Sequence, residues 1–268
     1  MGVAHSLEVQ RMEEFGGMDS PAHRLDARAK ALVTIAFIVA VMSFPRYELS
    51  ALTPFFLYPF VLLALGEIPL RFILAKLLIA APFAICIGLF NPWLDRHPVF
   101  LPGGQAIAGG WISFASIQIR FALTVAAALA LVACTGLHRL CAGLERLGLP
   151  RVFVVQLLFL YRYLFVIADE GLRMRRGMEL RSAGRRAPPL RVYGSLLGHL
   201  LLRSMDRAHR IYGAMLARGF DGEIRILQKA QAHFRDLAFV AGWIAFFVVA
   251  RSWNLAEGLG RWLTGGGL

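Results

Sequence analysis

Between Gly171 and Arg235 the chain carries fourteen Lys and Arg, several at helical spacing (Arg173 and Arg176; Arg203, Arg207 and Arg210). The run of exposed-looking helix ends at Ala217-Arg218-Gly219. A guanidinium is a planar, permanently charged fork that pairs bidentately with carboxylate or phosphate. The block therefore reads as a docking platform for another protein. The acids in and beside it (Glu170, Glu179, Asp206, Asp221 and Glu223) are dispersed, so they do not form the carboxylate-rich metal site that a membrane enzyme acting on lipid phosphates would need. Cys134, His138 and Cys141 are separated by four and three residues and would share a face on a continuous helix, where sulfur and imidazole could hold a transition metal. Gly136 and Gly143 weaken that helix and no fourth ligand stands out, so core packing is the preferred reading and no metal site is assigned. The chain has no G-x-x-x-x-G-K-[ST] phosphate loop, no H-E-x-x-H and no G-x-S-x-G, and no catalytic residues are assigned.

The elements that must position this block are greasy. The 268 residues are 57% apolar with a formal net charge of +12 and positive mean hydropathy, which excludes an ordinary soluble domain. Such a charge can signal nucleic acid, but here it lies beside apolar runs long enough to span a bilayer. It is therefore read as membrane-flanking charge, with some of it facing anionic lipid headgroups and none assigned to nucleic acid. A hydrocarbon core of about 30 Å needs roughly 20 helical residues. Candidate spans are Ala29–Phe44, Leu49–Leu65 (with Pro54 and Pro59 inside), Phe72–Phe90, Ile117–Thr135 and Leu237–Val249, with Trp243 and Trp253 as interfacial anchors. A Gly/Pro-rich loop separates the third span from the fourth.

Val152–Ala168 is apolar but interrupted by Gln156 and Arg162. An Arg at mid-bilayer costs about 2.5–3.5 kcal/mol on insertion scales; it can also snorkel or pair internally. The first thirty residues are rich in charge and hold no signal-peptide apolar core, so the N-terminus is expected in the cytoplasm. The loops carrying Arg71 and Lys76, and Arg139, Arg146 and Arg151, then fall on the same side. If Val152–Ala168 does not cross, the basic block joins them. The expectation is an all-α polytopic membrane protein with five spans, six being the alternative. Residues 1–135 hold the N-terminal segment and four spans, 136–235 the cytoplasmic helices, and 236–268 the last span and tail. One long helix is predicted from Pro150 to about Ser182, and a second from about Leu190 to Ala217 with Leu196, Leu197, Leu200, Leu201, Ser204 and Ala208 on one side. Gly219 is predicted to be a left-handed stop. Asp26 and Arg28 are read chiefly as capping the first span.

Several segments in order resemble one known family. Ser20-Pro21-Ala22-His23-Arg24-Leu25-Asp26-Ala27-Arg28-Ala29-Lys30 leads into the first span, and Leu147-Gly148-Leu149-Pro150-Arg151 precedes a run with Tyr161-Arg162-Tyr163 and Asp169-Glu170. Arg181-Ser182 and Ala214-Met215-Leu216-Ala217-Arg218-Gly219-Phe220 follow. Together they resemble the transmembrane T component of energy-coupling factor (ECF) transporters, of the CbiQ type that serves cobalt uptake.

The resemblance implies a non-catalytic subunit of the inner (plasma) membrane, multi-pass, that binds no cofactor. Its expected partners are a CbiO-like ATPase dimer that binds ATP and magnesium, a CbiM-like substrate-binding subunit and a small CbiN-like subunit. It further implies that Arg-centred motifs at two helix ends dock in the ATPase subunits. Ala217, Arg218 and Gly219 match one motif. Leu180, Arg181 and Ser182 match the other in place but not in composition, with Arg185 as the alternative register. Nickel or a vitamin would suit the same role. A rival of another class is a membrane enzyme or plain anchor whose arginines bind lipid phosphates.

Overall fold

A computed structural model describes residues 25–45, 49–94, 98–100, 106–181, 189–222 and 234–252. The described elements are α1 (Ala27–Met42), a 3₁₀ helix (Ser50–Phe56) running into α2 (Leu57–Leu65), α3 (Leu70–Gly88), the single turn α4 (Asn91–Leu94), a hairpin of β1 (Pro98–Phe100) and β2 (Ala106–Ala108), α5 (Gly109–Thr135), α6 (Leu137–Arg146), α7 (Arg151–Arg181), α8 (Leu190–Leu216) and α9 (Phe234–Ser252). The fold is α-helical apart from the short antiparallel hairpin, which pairs Val99 with Ile107 inside the expected Gly/Pro-rich loop. The chain divides into two compact units: Met12–Gly143 with Ala230–Leu268, and Leu144–Lys229 with Met1–Arg11.

The first unit is built around α1. Its Val33, Phe37 and Val41 are fully buried, together with Leu52, Phe55 and Tyr58 from the 3₁₀ helix and α2, Ala127 and Ala130 from α5, and Phe247 from α9. Small residues at Ala127, Ala130, Ala133 and Cys134 give α5 a stripe on which neighbouring backbones can approach closely. Rings fill the centre: Phe37 lies 4.8 Å from Tyr58 and 5.6 Å from Phe247, and Phe55 stacks on Phe247 at 5.7 Å. Trp243, expected at the membrane interface, instead meets Tyr58 edge-on at 4.9 Å. Its position in the middle of α9 draws it into this cluster. Trp253 lies outside the described residues.

Hydrogen bonds fix the relative directions of α1, α5 and α9. The Asp26 carboxylate accepts from the Arg28 amide at 3.1 Å, capping α1, while the Asp26 amide donates to Asp236 in the first turn of α9 at 2.9 Å. At the other end of α1, Arg120 donates to the carbonyls of Phe44 (3.0 Å) and Pro45 (2.7 Å). Arg251, in the last turn of α9, donates to the Ser43 carbonyl at 3.2 Å and lies over the Phe44 ring. Thus α9 runs parallel to α1. α5 runs antiparallel to it, since its Arg120 meets the C-terminal end of α1 while the Cys134 carbonyl accepts from the buried Lys30 ammonium at 3.0 Å. The chain leaves this unit beside Ala27, where Gly143 packs, and returns at Asp236 on the same end.

Among the described residues three helical stretches are long and apolar enough to cross a bilayer: Leu70–Trp93, Gly109–Thr135 and Arg151–Arg181. The last contains Val152–Ala168, the run interrupted by Gln156 and Arg162. The segment expected as one helix over Leu49–Leu65 forms a 3₁₀ piece holding Pro54 and then α2, because Pro54 and Pro59 cannot donate to an uninterrupted ladder. Its Thr34 contact is tight: the Tyr58 hydroxyl lies 2.6 Å from Thr34 Oγ1.

Gly66 ends α2 against α5. A Cβ there would collide with Cys134 Sγ and sit 3.0 Å from the Leu62 carbonyl. Gly66→Ala is expected to destabilise the detergent-solubilised protein by about 1–3 kcal/mol, the usual cost of overpacking. Gly66→Ala with Cys134→Ala, which removes the sulfur, should recover most of that loss. Thermal unfolding of the two single variants and the double variant checks this, and additive losses would show that the clash is not the cause.

Candidate functional site

The second unit presents the basic block. α7 has an apolar first half and a charged second half and ends at Leu180 and Arg181, both exposed. Ser182 and the alternative Arg185 lie outside the described residues. α8 ends at Leu216 with Ala217 as its cap, and its closure is made by backbone bonds: the Gly219 amide donates to the Leu216 carbonyl and the Phe220 amide to the Met215 carbonyl, both at 3.0 Å. This 6→1 and 5→2 pairing needs a left-handed residue at the turn, and Gly219 supplies it with φ 79°. Arg218 is the last residue before the reversal, and it is exposed. Among the described residues neither Arg181 nor Arg218 has an ion-pair partner. Each predicted Arg therefore projects from the C-terminal tip of a long helix, where a cation is also favoured by the helix dipole.

The two helices run past one another in opposite senses. A Cβ at Gly171 would lie 3.4 Å from Leu200, while Glu170 reaches Arg203 and Arg207 further along α8. The Glu170 carboxylate accepts from Arg203 at 2.9 Å, lies 3.6 Å from Arg207, and takes Arg173 of its own helix at 3.3 Å. Its side chain is 17% exposed, against 62% and 66% for Arg203 and Arg173. The Arg203 hydrogen bond, together with the charges of Arg173 and Arg207, holds its carboxyl below the ordinary carboxylate range despite partial desolvation. Arg175 and Glu179 form a separate exposed pair at 2.8 Å.

Beside Glu170 the helices enclose a cleft of about 440 Å³, lined by Val155, Phe159, Tyr163 and Ile167 of α7 and by Ile211 and Met215 of α8, with Phe220 behind the turn. The apolar side predicted for α8 is thus divided. Leu200 and Ser204 turn to the cleft, whereas Leu197 and Leu201 are 63% and 61% exposed. In the sequence Glu170 stands among the dispersed acids and, as Asp169-Glu170, among the segments that carry the family resemblance, with no pairing assigned. Its spacing from Arg173 was visible, but the pairing with α8 spans 33 residues and has no local signature.

Cys134, His138 and Cys141 do not converge. Gly136, at φ 73°, breaks the helix between α5 and α6. Cys134 Sγ donates to the Leu62 carbonyl at 3.3 Å, His138 is exposed, and Cys141 is buried in a setting that pushes its thiol pKa up. Among the described residues no group of three His, Cys, Asp or Glu could hold a metal ion.

The architecture is that of an α-helical membrane protein with a basic pair of helices inserted between its spans. The particular family follows from sequence comparison: residues 18–229 match the model of the CbiQ cobalt transport protein family, and the chain belongs to that family. It is 26% identical over 207 residues to the cobalt transport protein CbiQ of Rhodobacter capsulatus, covering 76% of this chain and 82% of that protein. It is 31% identical over 120 residues to the nickel permease LarQ of Lactiplantibacillus plantarum, covering 45% of this chain and 44% of that protein. An uncharacterized protein of Methanocaldococcus jannaschii is 24% identical over 238 residues, 85% of this chain and 81% of the relative. The chain is a membrane component of a transport system.

The closure at Gly219 sets where Arg218 points. Gly219→Ala places a Cβ in the left-handed region at a cost of about 1 kcal/mol, and Gly219→Asn costs less. The Ala variant is expected to loosen the turn and speed trypsin cleavage after Arg218, read by mass spectrometry of the nicked protein, with the Asn variant in between.

Proposed function

We propose that this chain is the coupling and scaffold subunit of an ATP-driven ECF-type uptake system, with cobalt as the first substrate to test. ATP closure of two ABC-type ATPase subunits would move Arg181 and Arg218, and the membrane unit would pass that motion to a substrate-binding membrane subunit. A small CbiN-like subunit would complete the assembly. The observation that carries the reading is the pair of exposed arginines at the C-terminal tips of consecutive long helices. The ATPase is a separate chain in this reading.

Three further observations support it. The end of the membrane unit at which the chain exits and returns carries Arg28, Lys30, Arg71, Arg139 and Arg235, as a cytoplasmic face should. With α1 and α9 read as spans, their parallel course fits an even number of crossings between α6 and α9, which a lone crossing by α7 would not give. The five-span reading, with α7 and α8 on the cytoplasmic side of the plasma membrane, does. Leu197, Leu201, Tyr212 and Leu216 form an exposed apolar row on α8 leading to Arg218, the kind of surface that a protein partner covers. Nickel is the second substrate to test, on the similarity to LarQ over part of its length.

Co-purification from detergent of this chain with its host's ABC-type ATPases tests the proposal. Wild type is expected to retain the ATPase. Arg218→Ala should weaken retention by about 30-fold or more, in line with the 2–5 kcal/mol typical of truncating one partner of a buried interfacial ion pair. Arg181→Ala with Arg218→Ala should abolish ATP-dependent uptake of cobalt by the reconstituted complex. Retention and uptake unchanged in the double variant would overturn the docking role.

A further inference from the structure

Glu170 lies on the same turn of α7 as the Gly171–Leu200 contact, and its carboxylate pairs with three arginines, two of them from α8. Measured along the helices, Arg181 lies eleven residues beyond Glu170 and Arg218 eleven residues beyond Arg207. At 1.5 Å per residue each tip is about 16 Å from this point. Because the helices run in opposite senses, the tips extend in opposite directions. Away from Glu170 the pair is held weakly: α8 has no fully buried residue, and the cleft of about 440 Å³ separates the apolar half of α7 from the C-terminal half of α8. An apolar contact of that quality does not fix a crossing angle. A carboxylate that accepts a hydrogen bond from Arg203 at 2.9 Å and pairs with Arg207 at 3.6 Å, both on the facing helix, adds a directional contact, because the Arg203 guanidinium must keep its direction.

We propose that Glu170 is the pin at the midpoint of a two-armed lever, and that its pairing with Arg203 and Arg207 fixes the angle between α7 and α8 and hence the separation of Arg181 and Arg218. This rests on the docking role assigned to those tips, and it makes Glu170 a positioning residue that itself touches no partner. If the two tips are to be moved by a pair of ATPase subunits, a fixed midpoint converts their approach into rotation of the helix pair as one body. Without the pin, each arm would swing by itself into or away from the cleft.

The charged groups facing Glu170 are Arg173 from α7 and Arg203 and Arg207 from α8. They stabilise the ionised form, so its pKa in the folded chain lies below the unfolded value. The pinning contribution is therefore fully present above the ordinary carboxylate range and is lost only as pH falls through the depressed value.

The full chain in detergent carries the test, with spin labels on exposed helix positions at Arg176→Cys and Ala214→Cys in a Cys86→Ser background; Cys134 and Cys141 are buried. Pulsed electron resonance should give one narrow distance distribution for the labelled protein at neutral pH. Glu170→Gln should broaden the distribution and shift its maximum. Glu170→Arg combined with Arg203→Glu, which rebuilds the pair with its charges exchanged, should narrow it again. Acidification should broaden the distribution of the protein carrying Glu170 only below the ordinary carboxylate range, and should leave that of Glu170→Gln unchanged. An unaltered distribution in Glu170→Gln, or an exchanged pair as broad as the single variant, would overturn the proposal. The measurement needs no ATPase, so the pin is judged separately from the docking of Arg218.

Discussion

A buried ammonium organises the membrane unit. Lys30 sits in the first turns of α1 with 1% of its surface exposed and donates to the Cys134 carbonyl at the end of α5. The last carbonyls of a helix have no intrahelical donor and carry the negative end of its dipole. A lysine brought there meets both needs, and in apolar surroundings the alternative is an orphaned carbonyl beside an unpaired cation. The interaction thus joins the start of α1 to the end of α5, and Asp26 and Asp236 join the start of α1 to the start of α9. Three helix termini meet on one face. Gly143, where the chain leaves this unit, packs beside Ala27 at the same face, and the directions of α1, α5 and α9 follow from this junction.

The opposite face uses the same chemistry with arginine. Arg120 and Arg251 reach the last carbonyls of α1 from α5 and α9. A helix with polar anchors at both ends and apolar side chains between them can tilt little against its neighbours. The aromatic centre around Phe37, Tyr58 and Phe247 fills the space that these anchors define. Such a unit suits a scaffold, because displacement applied at one terminus is carried by the whole bundle and is not absorbed within it.

How much of this could be read in the sequence depended on range. The apolar runs, the Gly219 stop, the cap at Asp26 and the tips at Arg181 and Arg218 are set by residues within a turn or two of one another, and they were legible. The interruption at Pro54 was visible, but its consequence, a 3₁₀ helix leading into α2, depends on packing against α1. Trp243 was misplaced because an aromatic near an apolar helix reads equally as interfacial or central, and only the ring of Tyr58 opposite decides. Leu197 and Leu201 could not be told from Leu200 on α8, since a helix apolar over a broad face does not announce which residues meet the neighbour. The polar junctions Lys30–Cys134 and Glu170–Arg203 link residues 104 and 33 positions apart, and nothing local marks them.

That difference in range also separates the two units physically. In the membrane unit the polar links lie at helix termini and the interior is filled by rings and small residues, so each helix is fixed along its length. In α7 and α8 the polar link lies at the crossing, the termini are exposed, and an apolar cleft opens beside it. The first arrangement anchors the helices at their ends; in the second the proposed pin lies at the centre and would hold the two exposed tips at one separation. The coupling role proposed above would use both, with the arginine tips as the points of docking and the anchored bundle as the scaffold. Lys30, buried at a helix terminus, and Glu170, partly exposed at a helix crossing, are the polar contacts on which the two arrangements rest.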